Sequence, residues 1–251
     1  PFNFSDIDSL REKIKGQENE IAAIMIEPAR GEEAPNEYLS KLREIASEIG
    51  AVLIFDEITS GFRMCAGGIH RRYNIYPDMA IFAKSMANGY AMSAIIGTEE
   101  VMQAAQSTFI SSTNWTDRVG PAAALATLNK YQKTNTDDHI ISIGNKTQQI
   151  WRNAALNSGL EIDISGLPSL SAFSFKSEHS QALNTRFVTE MLQRGFLGFR
   201  QFKPSLAHSN KDLDKYSVAV QEVFNTLVNL PEHKILNSEV AHARFSYLTN
   251  E

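Results

Sequence analysis

The sequence predicts an α/β protein, with a mixed, mostly parallel sheet in a first domain (residues 1–130) and a smaller α+β domain after it (131–251). Two observations lead there. Up to residue 130, short apolar runs of strand length alternate with segments of helical period, the pattern of strand–helix–strand units. At Lys133 the polar stretch KTNTDD breaks that rhythm, and long amphipathic helices with one alternating strand take over. The 251 residues, 43% hydrophobic and 21% charged, suffice for one large or two modest globular cores.

A helix-start signal at Ser5 leads into apolar residues at Ile7, Leu10 and Ile14. Residues 21–27 (IAAIMIE) are a continuous apolar run ended by Pro28, which predicts a strand buried on both faces. Residues 36–49 place Tyr38, Leu39, Leu42, Ile45, Ala46 and Ile49 at helical spacing, with Gly50 as C-cap. Residues 51–55 (AVLIF), 79–83 and 94–96 read as further buried strands, and 120–132 as a helix of small residues. In the second domain, 138–158 is a long helix closed by Gly159, 170–175 (LSAFSF) alternates as a half-exposed strand does, and 185–193 is helical. Residues 209–229 carry the strongest helix signal: Ser209 and Asp212 form a capping box ahead of one apolar stripe from Leu213 to Leu227.

The net charge of −5 argues against nucleic-acid binding, which needs a dense basic footprint. No run of 18 apolar residues exists to span a membrane, so no membrane partner is expected. No charged-then-apolar stretch opens the sequence. A single cysteine, Cys65, precludes an intrachain disulfide and fits a reducing, cytoplasmic setting. None of the six histidines pairs with Cys or another His at a metal-ligand spacing, so no metal site is expected.

In an open α/β sheet, ligands bind beyond the carboxyl ends of the strands. Glu27, Asp56-Glu57 and Lys84 stand there. A lysine desolvated at such a place is a nucleophile toward carbonyls, and an aspartate among strand ends needs a cationic partner. A pyridinium nitrogen meets that need while a lysine Schiff base holds the same ring, so the pair suits pyridoxal 5′-phosphate (PLP). The same residues have blander readings. VLIFDE has the form of the acidic strand of a P-loop ATPase, although G-x-x-x-x-G-K-[ST] is absent from the sequence. Lys84 alone reads as a lysine snorkelling to water, and Asp56 alone as a strand-end cap. A PLP-free Schiff-base lyase would keep Lys84 without a phosphate-binding threonine.

VLIFDEITSGFR, the lysine 28 residues after Asp56, and the surrounding PDMAIFAKSMANGYAMSAIIG resemble the class III, fold type I, PLP-dependent aminotransferases, above all their glutamate-1-semialdehyde 2,1-aminomutase branch. EPARG (27–31), STNWTDRVGPAAALATL (112–128), SLAHSNKDLD (205–214) and VAHARFSYL (240–248) resemble further segments of that family. The resemblance implies a large mixed-sheet domain, a smaller C-terminal domain and a homodimer with shared active sites. It implies PLP-dependent amino-group transfer between a small-molecule amino donor and a carbonyl acceptor; an amino-sugar precursor and glutamate-1-semialdehyde are two candidate substrates. Carried over by position, it makes Lys84 the Schiff-base lysine and general base, Asp56 the partner of the ring nitrogen and Ile58 the packing under one ring face. Thr113 would bind the phosphate, in the neighbouring subunit's site, with Thr108 and Thr116 as alternatives. Glu27 would shape the pocket.

Two departures qualify the resemblance. MANGYAM, after Lys84, has one glycine where the aminomutases usually have more, and FISSTNWTDRVGP is closer to aminotransferases of sugar and surface-polysaccharide pathways. The family's Gly-Ser phosphate loop and its ring-stacking aromatic are not found in the sequence, which thus resembles the C-terminal part of such an enzyme. Alone, the chain is expected to bind PLP poorly and not to turn over. The alternative of a different class is a remnant that folds and dimerises without cofactor. Arg63 reads as a structural ion-pair partner, Arg200 as a candidate for a substrate carboxylate, His70 and His208 as packed or solvated, and Cys65 as non-nucleophilic.

Overall fold

The computed structural model describes residues 1–29, 31–111, 113, 116–230 and 240–241. Arg30, Ser112, Asn114, Trp115, His233, His242 and most of the 240–248 segment therefore lie outside the described residues. The chain divides into two compact units, Pro1–Asp138 and His139–Glu251.

The first unit holds α1 (Ile7–Ile14), β1 (Ala23–Ile26), α2 (Asn36–Glu48), β2 (Val52–Asp56), α3 (His70–Tyr73), β3 (Met79–Phe82), β4 (Ala94–Gly97), α4 (Glu99–Gln103) and α5 (Val119–Lys133). The strands lie in the order β1-β2-β3-β4. The first three are parallel, and β4 runs antiparallel to β3. The predicted mixed, mostly parallel sheet is thus present.

Helix α2 owes its position to its apolar spacing. Leu39, Leu42 and Ile45 are buried in one cluster with Ile24, Leu53 and Phe55 of the sheet. Burying each such side chain stabilises the unit by about 1.5–3 kcal/mol. Gly50 follows the helix at φ 69°, the left-handed C-cap conformation its sequence position predicts.

The expectation that residues 21–27 are buried on both faces is not met. In β1, Ile24 and Ile26 are buried, while Ala23 is exposed and Met25 is 50% exposed. β2 and β3 alternate in the same sense between buried and half-buried residues. A continuous apolar run reports that a strand is apolar, not that both of its faces receive a cover.

The second unit comprises most of α6 (Thr136–Ser158), then β5 (Ile162–Ser165), β6 (Ser171–Phe175), α7 (Ser180–Gln193), β7 (Gln201–Phe202) and α8 (Asn210–Val228). Its sheet is antiparallel, in the order β5-β6-β7. β6 buries Ser171, Phe173 and Phe175 and leaves the residues between them half-buried, the alternation its sequence predicts. Phe173 sits among Trp151, Phe175, Phe187 and Phe224. Trp151 Nε1–H donates to the Tyr216 hydroxyl at 2.9 Å, so the indole is buried without an orphaned donor. Both halves of the capping box at Ser209 and Asp212 form. At Gly144, inside α6, a Cβ would overlap the Pro168 carbonyl, so the helix lies on the Pro168–Leu170 turn as closely as glycine allows.

Among the described residues no helix is long and apolar enough to cross a membrane. No group of three or more His, Cys, Asp or Glu there is arranged to hold a metal ion.

Candidate active site

The parallel pairing of β2 with β3 sets Asp56 opposite Ile81, three residues before Lys84. Asp56 and Lys84 thus stand at the carboxyl ends of neighbouring strands, where an α/β sheet holds its ligands. Lys84 opens a 3-10 turn (Lys84–Met86) with φ at 46°. A left-handed backbone costs a residue with a Cβ about 1 kcal/mol or more, and such strain gathers at functional positions. Beyond it, Asn88 and Gly89 adopt φ of 47° and 104°, completing the turn that the Asn-Gly pair predicts.

Lys84 Nζ donates to Thr59 Oγ1 at 2.9 Å. Asp56 Oδ1 accepts the Ile58 N–H at 3.0 Å. Oδ2 of Asp56 has no hydrogen-bond partner among the described residues, and no ion pair there joins Asp56 to Lys84. A carboxylate and an amine therefore stand on adjacent strand ends without neutralising each other. Ile58 is half-buried between Asp56 and Thr59 in sequence, on the turn that follows β2.

Glu57 serves a different purpose from its neighbour. It is 0% exposed and accepts hydrogen bonds from Ile69 N–H (3.0 Å), His70 N–H (3.1 Å) and the Ser60 hydroxyl, with His70 Nδ1 at 2.9 Å. Its own N–H donates to Ile81 O at 2.9 Å, which ties the same residue to β3. A Cβ at Gly68 would lie 2.7 Å from Glu57 Oε1 and would also strike the His70 ring, so glycine leaves room for this clamp. His70 is packed, as its sequence context suggests. The carboxylate that sequence reading grouped with Asp56 at the site is spent on loop 58–70.

Arg63 corrects one expectation. It makes no ion pair among the described residues; its Nε donates to Thr59 O at 2.8 Å, and burial lowers its pKa. The guanidinium is satisfied by a backbone carbonyl of the same turn instead of by a carboxylate. Cys65 Sγ–H donates to Gly68 O at 3.2 Å, and burial pushes its thiol pKa up, which disfavours the reactive thiolate.

The threonines are not brought to this site by any hydrogen bond among the described residues. Thr113 and Thr116 lie in exposed turns, and Thr108 donates its hydroxyl to Ala105 O. Glu27 is half-buried just past β1. In the second unit, the Arg200 guanidinium lies over the Phe199 ring, and His208 Nδ1 accepts the Ser205 N–H at 3.1 Å. Thr59 is the residue that sequence reading passed over; its only signal there is its place three residues after Asp56.

The clamp has a measurable consequence. Glu57→Ala would leave the Ile69 and His70 N–H groups and the Ser60 hydroxyl without their acceptor, at about 1–3 kcal/mol for each group that stays buried. The expected result is a lower urea midpoint and faster proteolysis within loop 58–70, with Glu57→Gln milder. An unchanged midpoint in Glu57→Ala would remove the clamp from the account.

The chain is similar to proteins of known family. The Aminotransferase class-III family profile matches residues 4–223. A 3-aminobutyryl-CoA aminotransferase of Cloacimonas acidaminovorans (strain Evry) is 30% identical over 227 residues, covering 83% of this chain and 55% of that protein. A glutamate-1-semialdehyde 2,1-aminomutase of Clostridium botulinum (strain Eklund 17B) is 29% identical, covering 85% and 55%. Among solved structures, the PLP internal aldimine form of the FumI protein of Sphingopyxis sp. MTA144 superposes with a TM-score of 0.85 at 25% identity, over 93% of this chain and 59% of that one. The chain spans about half the length of the curated relatives it matches. The sheet is that of the fold type I enzymes, and with the profile matched along most of its length the chain belongs to the class-III aminotransferase family.

Proposed function

We propose that this protein transfers amino groups with PLP, between a small-molecule amino donor and a carbonyl acceptor or, as a 2,1-aminomutase does, within one molecule. The observation that carries the reading is the pair Asp56 and Lys84: opposite charges on adjacent strand ends, not ion-paired, with Asp56 Oδ2 unpartnered among the described residues. A group with a cationic ring nitrogen at one end and an aldehyde at the other fits that donor set. When bound, PLP supplies an aldehyde that captures a primary amine and a ring that takes up negative charge. Asp56 Oδ2 would accept a hydrogen bond from the ring nitrogen. Ile58 would pack against the ring. Lys84 Nζ would hold the cofactor aldehyde and would serve as the base that moves a proton at the substrate carbon.

Thr113, with Thr108 and Thr116 as the alternatives, donates a hydroxyl to the phosphate from a second copy of the chain. The support for that homodimer is the set of exposed apolar residues in the segment from β4 to α5: Ile95, Ile96, Ile110 and Leu125 are exposed, and Phe109 is 95% exposed. The two units are read as the large and small domains, and the free thiol of Cys65 suits a cytosolic setting.

Borohydride reduction of the PLP-loaded full-length enzyme tests the reading. The cofactor mass is expected on the peptide that holds Lys84; label on another lysine would overturn the assignment. Asp56→Asn cannot present a negative charge to the ring nitrogen. Its Lys84 label is expected to persist while turnover falls by a few powers of ten, each about 1.4 kcal/mol of barrier. A turnover number near wild type would take Asp56 out of the mechanism.

A further inference from the structure

We infer that Thr59 is a positioning residue for Lys84: its hydroxyl holds the free amine in the direction from which it captures the cofactor aldehyde. The inference rests on Lys84 being the PLP-binding lysine. The contact is the 2.9 Å hydrogen bond from Lys84 Nζ to Thr59 Oγ1.

Both ends of that bond are fixed by structure rather than by chance approach. On one side, Lys84 is held at φ 46° by the 3-10 turn it opens, so its side chain leaves the strand end from a constrained backbone. On the other, Thr59 belongs to the turn that follows Asp56 and Glu57. Gly61 N–H donates to Glu57 O at 2.8 Å, and Arg63 Nε donates to the Thr59 carbonyl at 2.8 Å, so the turn is closed on both sides of Thr59. A β-branched side chain on such a backbone has few χ1 choices. The hydroxyl is therefore a stationary acceptor on the same piece of chain as Asp56. Lysine has four rotatable bonds and loses much side-chain entropy when it is held. A stationary acceptor takes up part of that loss before the cofactor arrives, which raises the fraction of amines in a reactive orientation.

The chemistry served is a condensation. The neutral Lys84 amine adds to the aldehyde carbon, the carbon–oxygen double bond is replaced by a carbon–nitrogen double bond, and the oxygen leaves as water with the two protons from nitrogen; an ammonium first gives its extra proton to solvent. When substrate amine later displaces Lys84, its free Nζ has the same acceptor to return to.

The test compares Thr59→Val, which keeps the branched shape and removes the acceptor, with Thr59→Ser, which keeps the acceptor. Cofactor-free full-length enzyme is mixed with PLP and trapped with cyanoborohydride, and the rate of label on the Lys84 peptide is followed by mass spectrometry. Trace acetic anhydride, which reads plain accessibility of the amine, is run in parallel on all three proteins. The expected result is a roughly three- to tenfold slower capture of PLP at Lys84 in Thr59→Val, the size of one hydrogen bond at an exposed amine. Thr59→Ser should be restored to near wild type, with acetylation of Lys84 alike in all three. Equal PLP capture in Thr59→Val and wild type, with Lys84 labelled in both, would overturn this inference and leave the PLP reading standing. Capture and acetylation falling together, without rescue by serine, would reduce Thr59 to a packing residue. Absence of PLP label from Lys84 in the wild type would bring down both.

Discussion

In the full-length enzyme, Lys84→Ala is expected to lower amino-group transfer by several powers of ten and to abolish the borohydride-fixed label. The variant removes the covalent anchor and the proton carrier together, and each tenfold corresponds to about 1.4 kcal/mol of barrier. Folding should survive. The Lys84 side chain is exposed and makes one described hydrogen bond, to Thr59, and alanine meets the left-handed backbone with the same Cβ that lysine does. A thermal melt close to wild type alongside lost turnover would separate chemistry from stability. Turnover within tenfold of wild type would mean that another amine carries the reaction.

Phe173→Ala should give the largest loss of stability. The ring is 2% exposed, with centroids 4.9 Å from Trp151, 5.2 Å from Phe187, 5.4 Å from Phe175 and 5.9 Å from Phe224. Truncating a buried phenylalanine costs about 3–5 kcal/mol, because the lost transfer energy is joined by a cavity that neighbours close only in part. Domains are commonly stable by about 5–15 kcal/mol, so the second unit would approach the edge of unfolding. Hydrogen exchange followed by segment should show faster exchange over β6, α7 and α8. If that segment stays protected, Phe173 is not the centre of its core.

Where local signals were strong, the sequence spoke for the structure. α2 and α8 follow from their spacing and caps, and the observed ends differ from expectation by a residue at most. β6 is legible because one face is buried and the other half-open, which is what alternation encodes. β5 was passed over because IDIS is half polar and acquires its identity by pairing with β6. α3, HRRY, has little helical character of its own; the buried Glu57 takes the Ile69 and His70 N–H groups at its start, an acceptor supplied from another part of the chain. The site divides in the same way. Asp56 and Lys84 are readable, because strand ends and spacing place them. Thr59 is not, because its part depends on where a long side chain swings from a strained backbone. Glu57 stands beside Asp56 among the strand-end groups in the sequence, and adjacency there cannot tell a carboxylate facing a ligand from one holding a loop.

The order of the first sheet bears on how the protein is made. β1, β2, β3 and β4 occur along the sheet in the order in which they occur along the chain. Among the described strands none has to be inserted between two that have already paired, so this part of the sheet can grow at one edge as the chain leaves the ribosome. Synthesis adds roughly 5–20 residues each second, whereas small elements form in microseconds. Each strand therefore finds its neighbour waiting when it emerges. β3 carries Lys84 to Asp56 by the time it pairs, so the anion and the cation can be set side by side before the second unit has been translated.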